Sequence, residues 1–506
     1  MPKKVGIIDL GSNSVRLVVF EVGKNGAFRL IDDINDPIRL MENMVCDKYL
    51  NDLAMHRTLK TIKLYKKLCA AHEISANRII GVATAAMRKA ENRDHLLKLL
   101  SNSTGINFKI LSGREECLYV YKAIANSMDI NAGIIVDIGG GSTEIIKFKD
   151  KHMKNYVCLP IGSIVATEKF LDKNTISPHK LDALHSYIKE HLSESDWLFE
   201  EKNPVLIGVG GVIRNLGKIH RNHINYPLNK THNYQMSIED FQFIYNMLKN
   251  TDLESRKKIS GVSKNRNDII VGGLAILNAI ISAISPSKLV ISGFGLREGI
   301  LYEHIFSNSK LIPQNDALSL SLSSYMNLYG IRHKHAEQVC FISLSLFDQL
   351  KPLHKLGEDE RKLLKVASLL HDIGISISYY EHHKHSFYII LNSRLNGITQ
   401  RETVLISAIA ASHTDKPFND DWQDKYSSIL LPGDIEIYEK LSVLLKLAEC
   451  LDRSETGVIQ SLECQILDAS VKIQTIKDGD AELELSLSNE YNDLFKKCFG
   501  KSLTIL

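Results

Sequence analysis

The residues of this sequence best suited to chemistry lie in two glycine-rich turns, at positions 7–16 and 135–144. In both turns an apolar run ends at an aspartate, Asp9 or Asp137, and small residues follow. A turn of this kind directs several backbone N–H groups toward one point, where an anion can approach them closely. The aspartates add carboxylate oxygens, which divalent cations prefer as ligands. The pattern predicts a site for a metal ion beside a bound anion.

The two turns are related by a constant offset of 128 residues, at which the aspartate, the first glycine and the last serine all match. Two ordinary glycine hairpins are the alternative, but they would not be expected to match at one fixed offset. We therefore expect two related domains that face each other across a shared cleft. In the second turn, Gly139, Gly140 and Gly141 are expected to let the backbone adopt positive φ.

Length and composition limit the class of protein. A chain of 506 residues is too long for one core, so two to four domains are expected. The net charge of +3 is nearly balanced, which does not favour a specific nucleic-acid partner. Eight cysteines without a C-x-x-C pair indicate neither a zinc ribbon nor a disulfide framework, and they suit a reducing cytoplasm. The longest apolar stretch, 269–284, is shorter than the ~20 residues of a membrane span and predicts a buried helix.

The segments around the turns follow a repeated order of strands and helices. Strands are predicted in the hairpin 5–22 and at 28–31, 78–82 and 108–111, with helices between the later ones. The second copy begins at Gly133, and the pattern predicts α/β architecture with two ribonuclease-H-like domains, 1–125 and 126–306. Helical periodicity then predicts an all-α domain over 307–460. The tail, 461–506, alternates apolar and polar residues at 471–474 and 481–487, which indicates a small α+β piece.

The ordered motifs resemble the exopolyphosphatase/guanosine pentaphosphatase (Ppx/GppA) family. Besides the two turns, the matching segments are A-T-A-A-M-R at 83–88, S-G-R-E-E at 112–116, G-G-V-I-R at 210–214, R-N-D-I-I at 266–270 and G-L-R-E-G at 295–299. The resemblance implies an actin/Hsp70/sugar-kinase-like pair of domains. It also implies removal of a terminal phosphate from polyphosphate or guanosine pentaphosphate, with Mg²⁺. Val212 and Cys117 depart from the family, which usually has threonine at the first position and often alanine at the second.

Transfer of a phosphoryl group to water needs charge neutralisation, a metal and a group that orients the water. The two turns and Arg88 are expected to neutralise the charge of the phosphoryl group. Asp9, Asp137 and Glu144 are the predicted Mg²⁺ ligands, and Asp137 is also predicted to be a catalytic residue. The resemblance makes Glu116 the general base. A solvated helix-start carboxylate is the alternative for Glu116, and a surface salt bridge is the alternative for Arg88. The predicted phosphate-binding residues are Gly11, Ser12, Asn13, Ser14, Arg16, Arg88, Gly139, Gly140, Gly141, Ser142, Thr143, Gly210, Gly211 and Arg266.

The helical part carries a second group of candidate ligands. His335 and His413 fall on apolar helical stripes, and the pair at 371–372 and Asp452 follow apolar helices. Buried polar side chains need partners, and these residues are candidates for one another. Their order resembles the metal-binding signature of HD-domain phosphohydrolases, which implies a second divalent metal. The implied ligands are His335, His371, Asp372 and Asp452, with His385 and His413 matching the extra histidines of two-metal versions. Ordinary core histidines and a solvated basic corner at 382–385 are the alternatives.

These observations favour an exopolyphosphatase, with guanosine pentaphosphate as an alternative substrate of the same site. Such loops would bind the terminal phosphates of both substrates in the same way, so the sequence does not indicate which substrate is preferred. A kinase of the same fold is less favoured because no separate acceptor site is evident. A regulator that binds an alarmone without turnover is the alternative from another class. No membrane partner is expected, and a homodimer stays open.

Overall fold

The computed structural model describes residues 3–23, 27–42, 44, 48–172, 174, 176–307, 317–414 and 421–506. The chain divides into two compact units, 1–317 and 318–506. This division lies close to the boundary at 306/307 that the change of pattern predicts. The boundaries at 125/126 and 460/461 stay predictions.

The described strands are β1 Lys3–Leu10, β2 Ser14–Val22, β3 Phe28–Pro37, β4 Ile79–Ala83, β5 Phe108–Ile110, β6 Ala132–Ile138, β7 Thr143–Lys149, β8 His152–Leu159, β9 Val205–Val209, β10 Tyr234–Met236, β11 Lys288–Ile291, β12 Ile459–Ile466, β13 Ser470–Lys477 and β14 Ser502–Ile505. The described helices of the first unit are α1 Asp52–Ala71, α2 Ala85–Lys89, α3 Arg93–Thr104, α4 Gly113–Ala125, α5 Ser163–Phe170, α6 Pro178–Ser193, α7 Gly211–His223, α8 Ile238–Lys249, α9 Leu253–Arg256, α10 Ile270–Ile284 and α11 Leu296–Ser307. Those that follow are α12 Ala317–Leu328, α13 His333–Gln349, α14 Lys351–His354, α15 Glu358–Leu370, α16 His382–Asn392, α17 Gln400–Ala411, α18 Asp421–Lys425, α19 Asp434–Cys450, α20 Glu482–Asn489 and α21 Asn492–Phe499.

The first unit contains two sheets with the same strand order. One sheet runs β3-β2-β1-β4-β5 and the other runs β8-β7-β6-β9-β11, with β10 added at its edge. In each sheet the central strand pairs antiparallel with the next strand of its hairpin and parallel with the strand on its other side. The repeat confirms the predicted pair of ribonuclease-H-like domains. Because ligands bind at the carboxyl ends of parallel strands, the ends of β1, β4, β6 and β9 mark where the site should lie.

The cores of both domains are built from the β-branched and apolar residues of the central strands. Ile7, Ile8 and Leu10 of β1 are fully buried, as are Ile135 and Val136 of β6. Strands buried on both faces read as continuous apolar runs, which is the pattern that precedes each aspartate. Each run therefore holds its aspartate at the end of a rigid strand.

The apolar stretch at 269–284 forms α10, of which most residues are buried. This confirms the predicted buried helix. Among the described residues, no helix is both long enough and apolar enough to cross a membrane.

The second unit consists of helices followed by a three-stranded sheet, β12-β13-β14, with α20 and α21. The segment at 471–474 lies in β13, as its alternation indicates. The alternating segment at 481–487 lies largely in α20 instead. The Asp480 side chain accepts the first free N–H of that helix, from Glu482, at 3.0 Å. Glu484 and Ser488, four residues apart, are the buried pair, so packing follows the helical period rather than the alternation.

Candidate active site

One cavity of the first unit gathers most of the predicted phosphate-site residues. Those that line it are Asp9, Gly11, Ser12, Asn13, Ser14, Arg16, Glu116, Asp137, Gly139, Gly140, Gly141, Ser142, Glu144, Gly210, Gly211 and Arg266. Thr143 does not line it, because its hydroxyl donates a buried hydrogen bond to the Ile161 carbonyl at 2.7 Å. Arg88 does not line it either, but its guanidinium contacts Glu116, which does.

The two glycine turns have the same backbone geometry. In the first, the Gly11 N–H donates to the Ser14 carbonyl at 3.1 Å, and in the second the Gly139 N–H donates to the Ser142 carbonyl at 3.0 Å. Each aspartate lies opposite the residue seven positions later, which is Arg16 in the first hairpin. In the second hairpin that residue is Glu144. The offset in sequence is therefore a structural repeat.

The glycines of the second turn are required for close approach rather than for positive φ. None of the three lies among the positive-φ residues of the described chain, so that expectation is wrong. A Cβ on Gly140 would lie 3.0 Å from the Ser12 Cβ, and one on Gly141 would lie 2.6 Å from the Met41 sulfur. A side chain on Gly140 would press on Ser12 of the first turn, so this glycine lets the two turns approach each other closely. Gly210, at the end of β9, is the cavity glycine that does need positive φ, at 101°.

Asp9 and Asp137 stand at the ends of the two central strands. One oxygen of Asp9, Oδ1, is buried and has no hydrogen-bond partner among the described residues. Burial raises the pKa of Asp9, although the charges of Arg297 and Arg16 oppose the shift. Burial also raises the pKa of Asp137 to about 6, with Arg214 opposing and Asp9 adding to the shift. Two partly buried carboxylates that repel each other, one with a buried and unpaired oxygen, fit a bound divalent cation.

Glu144 lines the same cavity as the two aspartates but does not complete a close group of ligand atoms with them. Within the described part of the chain, Asp9, Asp137 and Glu144 do not form a group whose oxygens all lie within 4.8 Å of one another. Glu144 accepts a hydrogen bond from the Ser142 hydroxyl at 2.7 Å and lies 3.9 Å from Arg88. Burial, with the charges of Glu116 and Asp137, raises its pKa well above the usual value.

Glu116 lies in the first turn of α4 and is 8% exposed. Its carboxylate accepts a hydrogen bond from Arg88, whose Nη1 also donates to the Leu111 carbonyl at 2.9 Å. Burial raises the pKa of Glu116 to about 8, even though the Arg88 charge lowers it. A carboxylate in a cleft with a pKa near neutrality has the properties of a general base. The alternatives of a solvated carboxylate and a surface salt bridge do not fit this burial.

Four arginines line the cavity, and the sequence prediction missed two of them. Arg214 and Arg297 join Arg16 and Arg266. Asp33 holds two of the four, at 3.2 Å from Arg16 and 3.4 Å from Arg297. Burial lowers the pKa of Arg214 to about 9, and the charges of the other three arginines add to the shift. Such mutual repulsion in a buried site fits a polyanionic ligand, which would relieve it.

The second unit brings most of its candidate ligands together. Two groups of potential ligand atoms share Asp372, which joins His335 and His371 in one group and His382 and His413 in the other. The Nε2 atoms of His335 and His371 are 3.3 Å apart, and those of His382 and His413 are 2.8 Å apart. His385 belongs to neither group among the described residues, and His382, three residues earlier, stands in its place.

The outward-facing nitrogens show how these histidines are oriented. Nδ1 of His371, His382 and His413 lies 2.6–2.9 Å from the carbonyls of Ser368, Tyr379 and Ala410. Because a carbonyl only accepts, each Nδ1 carries a proton, and each Nε2 is the nitrogen that faces the group of candidate ligands and could coordinate a metal ion. This is the tautomer that metal-binding histidines adopt, with the outer nitrogen held by a backbone or carboxylate acceptor.

Asp452 occupies an outer position rather than the predicted ligand position. Its carboxylate lies 2.8 Å from Nδ1 of His335 and accepts the Gly457 N–H at 2.9 Å. Glu449, which the sequence prediction missed, is the inward-facing carboxylate. Its Oε2 lies 3.2 Å from Nε2 of His335 and 3.1 Å from Nε2 of His371.

Comparison with known proteins agrees with this architecture. The chain is 27% identical to a guanosine-5'-triphosphate,3'-diphosphate pyrophosphatase of Pseudoalteromonas translucida over 416 residues, which is 80% of both proteins. The crystal structure of an exopolyphosphatase from Cytophaga hutchinsonii has the same fold, with a TM-score of 0.57 at 21% identity, covering 61% of this chain and 99% of that one. A Ppx/GppA family member from Aquifex aeolicus gives a TM-score of 0.53 at 25% identity, covering 61% of this chain and 100% of that one.

Two sequence models match the two parts of the chain. The model of Ppx/GppA phosphatase, domain III, matches residues 319–496. The model of the Ppx/GppA phosphatase family matches residues 18–308, which is more than half of the chain. The protein therefore belongs to the Ppx/GppA phosphatase family.

Proposed function

We propose that this protein releases terminal orthophosphate from inorganic polyphosphate by attack of water, in the cavity between the two glycine turns. The observation that carries the proposal is the convergence of anion-binding turns, four arginines and a buried glutamate at the ends of the central strands. Transfer of a phosphoryl group to water needs these functions and little covalent chemistry from the protein.

Each group of residues in and around the cavity has its own proposed role in the reaction. The turn N–H groups and Arg16, Arg214, Arg266 and Arg297 bind the phosphoryl oxygens and neutralise their charge. Glu116 orients the attacking water and accepts its proton. Arg88 holds the Glu116 carboxylate in place, since it is itself fixed to the Leu111 carbonyl at 2.9 Å.

Asp9 and Asp137 are the proposed Mg²⁺ ligands, and Glu144 is part of the lining of the same cavity. The unpaired Oδ1 of Asp9 and the mutual repulsion of the two aspartates fit such an ion. When bound, Mg²⁺ would supply positive charge against the oxygens of the terminal phosphates.

Guanosine pentaphosphate is the second candidate substrate. The 27% identical relative from Pseudoalteromonas translucida is named as a pyrophosphatase of this type of nucleotide, and the match covers 80% of the chain. The same turns and arginines would bind its terminal phosphate. We infer a cytoplasmic location because the sequence has eight cysteines without a C-x-x-C pair, a pattern that suits a reducing compartment.

A side-by-side assay tests these proposals. Purified protein with Mg²⁺ should release orthophosphate from polyphosphate, and the ratio of kcat/KM on the two substrates would identify the preferred one. Binding of both without phosphate release would instead show a sensor of phosphorylated ligands.

We further propose that the second unit binds divalent metal through His335, His371, Asp372 and Glu449, with His382 and His413 on the other side of Asp372. The inward-facing Nε2 atoms, with each Nδ1 of His371, His382 and His413 held by a backbone carbonyl, carry this proposal. Asp452 fixes the His335 ring from outside. Metal analysis of the full-length protein after incubation with Mn²⁺ tests it, because Glu449→Gln should lower the bound metal while His385→Ala, on the same helix as His382, should not. Equal metal content in both variants and the wild type would contradict the assignment of Glu449.

A further inference from the structure

Two cysteines from different elements lie next to each other in the first unit. Cys117 is fully buried in α4, and Cys158 is partly exposed near the end of β8. Their sulfur atoms are 3.6 Å apart. A disulfide has an S–S distance of about 2.05 Å, so a shift of roughly 1.5 Å would join them.

The pair is adjacent to the proposed catalytic carboxylates. Cys117 directly follows Glu116 in the first part of α4. Cys158 is the cross-strand partner of Glu144 in the ladder between β7 and β8. A bond between the two sulfurs would therefore tie the helix that carries Glu116 to the sheet that carries Glu144.

The two thiols have unequal surroundings, which assigns a role to each. The hydrogen bond from Cys117 lowers the pKa of Cys158, with burial opposing and the Arg88 charge adding to the shift. The same hydrogen bond, with burial, raises the pKa of Cys117. The partly exposed Cys158 is thus the better thiolate, and the buried Cys117 is the resolving thiol.

We propose that Cys117 and Cys158 form a reversible disulfide when the protein is oxidised by hydrogen peroxide, and that this disulfide inhibits phosphate release in the cavity. The Cys158 thiolate attacks one oxygen of hydrogen peroxide, the O–O bond breaks, and the hydroxide that leaves takes a proton to become water. The resulting sulfenic acid is attacked by the Cys117 sulfur, which loses its proton as the second water leaves. Two thiols are oxidised to one disulfide, and one peroxide is reduced to two waters.

The packing around the pair explains why the bond would reach the active site. A Cβ on Gly113 would lie 2.6 Å from the Cys158 sulfur, so the first turn of α4 packs directly against this side chain. Because residue 113 is a glycine, it has no side chain that could absorb a movement of Cys158 toward α4. The shift falls on the turn that holds Glu116, which must keep its position against Arg88. A misplacement of about 1 Å in an active site can cost roughly 100-fold in rate.

This inference rests on the proposed function for its effect on rate, but formation of the bond does not. Reduced wild-type protein is treated with hydrogen peroxide, and free thiols are then blocked. Mass spectrometry of the digested protein is expected to find the peptide pair joined through Cys117 and Cys158. Phosphate release is expected to fall roughly 10- to 100-fold and to return after reduction with dithiothreitol.

Variants separate this site from general oxidation. Cys117→Ala and Cys158→Ser should keep the reduced rate and resist peroxide, whereas Cys464→Ser, another partly exposed cysteine, should remain sensitive. The proposal is overturned if the folded protein forms no such disulfide, if the disulfide leaves the rate unchanged, or if both variants are inhibited like the wild type. An inactive reduced protein that still forms the disulfide would count against the proposed function and against the switch in rate, but not against the bond.

Discussion

The two glycine hairpins share one backbone and differ in the residue opposite the aspartate. In the first hairpin Asp9 faces Arg16, and in the second Asp137 faces Glu144. The closing hydrogen bonds of the two turns agree to within 0.1 Å, at 3.1 and 3.0 Å. The two hairpins therefore repeat one backbone arrangement, but the first places an arginine opposite its aspartate and the second places a glutamate there.

The charges that surround Arg16 and Glu144 also differ between the two hairpins. Arg16 lies 3.2 Å from Asp33, which also lies 3.4 Å from Arg297, so the first side collects guanidinium groups. Glu144 lies in the neighbourhood of Glu116, with Arg88 close to both carboxylates. We infer that the first hairpin contributes mainly to phosphate binding and that the second contributes mainly to activation of water.

The largest effect is expected for Glu116→Gln. This change removes the proposed base but keeps a hydrogen-bonding group in the first turn of α4. Loss of a general base lowers kcat by about 10²–10⁴-fold, and steady-state kinetics on polyphosphate would measure it.

The neighbouring residue provides a matched control. Glu115 closes the capping box of the same helix with Ser112 and pairs with Lys109, away from the cavity. Glu115→Gln keeps the capping geometry and should leave kcat nearly unchanged. A Glu116→Gln enzyme with wild-type kcat would remove this residue from the chemistry.

Smaller effects that distinguish the two hairpins are expected from two single variants, in which Arg16 or Glu144, the residue opposite each aspartate, is replaced by glutamine. Arg16→Gln should mainly raise KM, by about tenfold or more, because a hydrogen bond to a charged group contributes about 1.5–3 kcal/mol. Glu144→Gln should mainly lower kcat, since the amide still accepts the Ser142 hydroxyl but can no longer ionise or exchange a proton. If both variants changed KM alone, the difference between the hairpins would have no functional meaning.

A pH dependence tests the protonation state of Glu116 without any substitution. Burial raises the pKa of Glu116 to about 8 in the free protein, and a general base must be deprotonated. The value of kcat/KM should therefore rise by up to about tenfold per pH unit below that pKa and level off above it. A profile that stayed flat from about pH 6 to 9 would contradict this protonation state.

The sequence predicted the repeated frame because its signals are local. An apolar run, an aspartate and small residues determine a strand and a tight turn without reference to the rest of the chain. The arginines that complete the cavity were harder to assign. Arg214 and Arg297 follow glycine turns that the sequence marked, but their direction depends on how α7 and α11 leave those turns.

The helical unit shows the limit of periodicity most clearly. Glu449 and Asp452 are three residues apart, and so are His382 and His385. His382 and His385 share a helical face, and Asp452 lies just beyond the end of the helix that carries Glu449, so the pattern identifies the region but not which side chain reaches the centre. In both pairs the structure selects the residue nearer the N-terminus.

The most direct test of where phosphate is released compares two variants in one assay. Asp137→Asn keeps the size of the side chain but removes charge from the phosphate cavity, whereas His371→Ala with Asp372→Ala disrupts the ligand group of the second unit. We expect Asp137→Asn to lower both kcat and the apparent affinity for Mg²⁺ by at least about tenfold, as for loss of a charged contact. The double variant should retain most of the phosphate release. Activity that survives Asp137→Asn but is lost in the double variant would place the chemistry in the helical unit and contradict the role of the glycine turns.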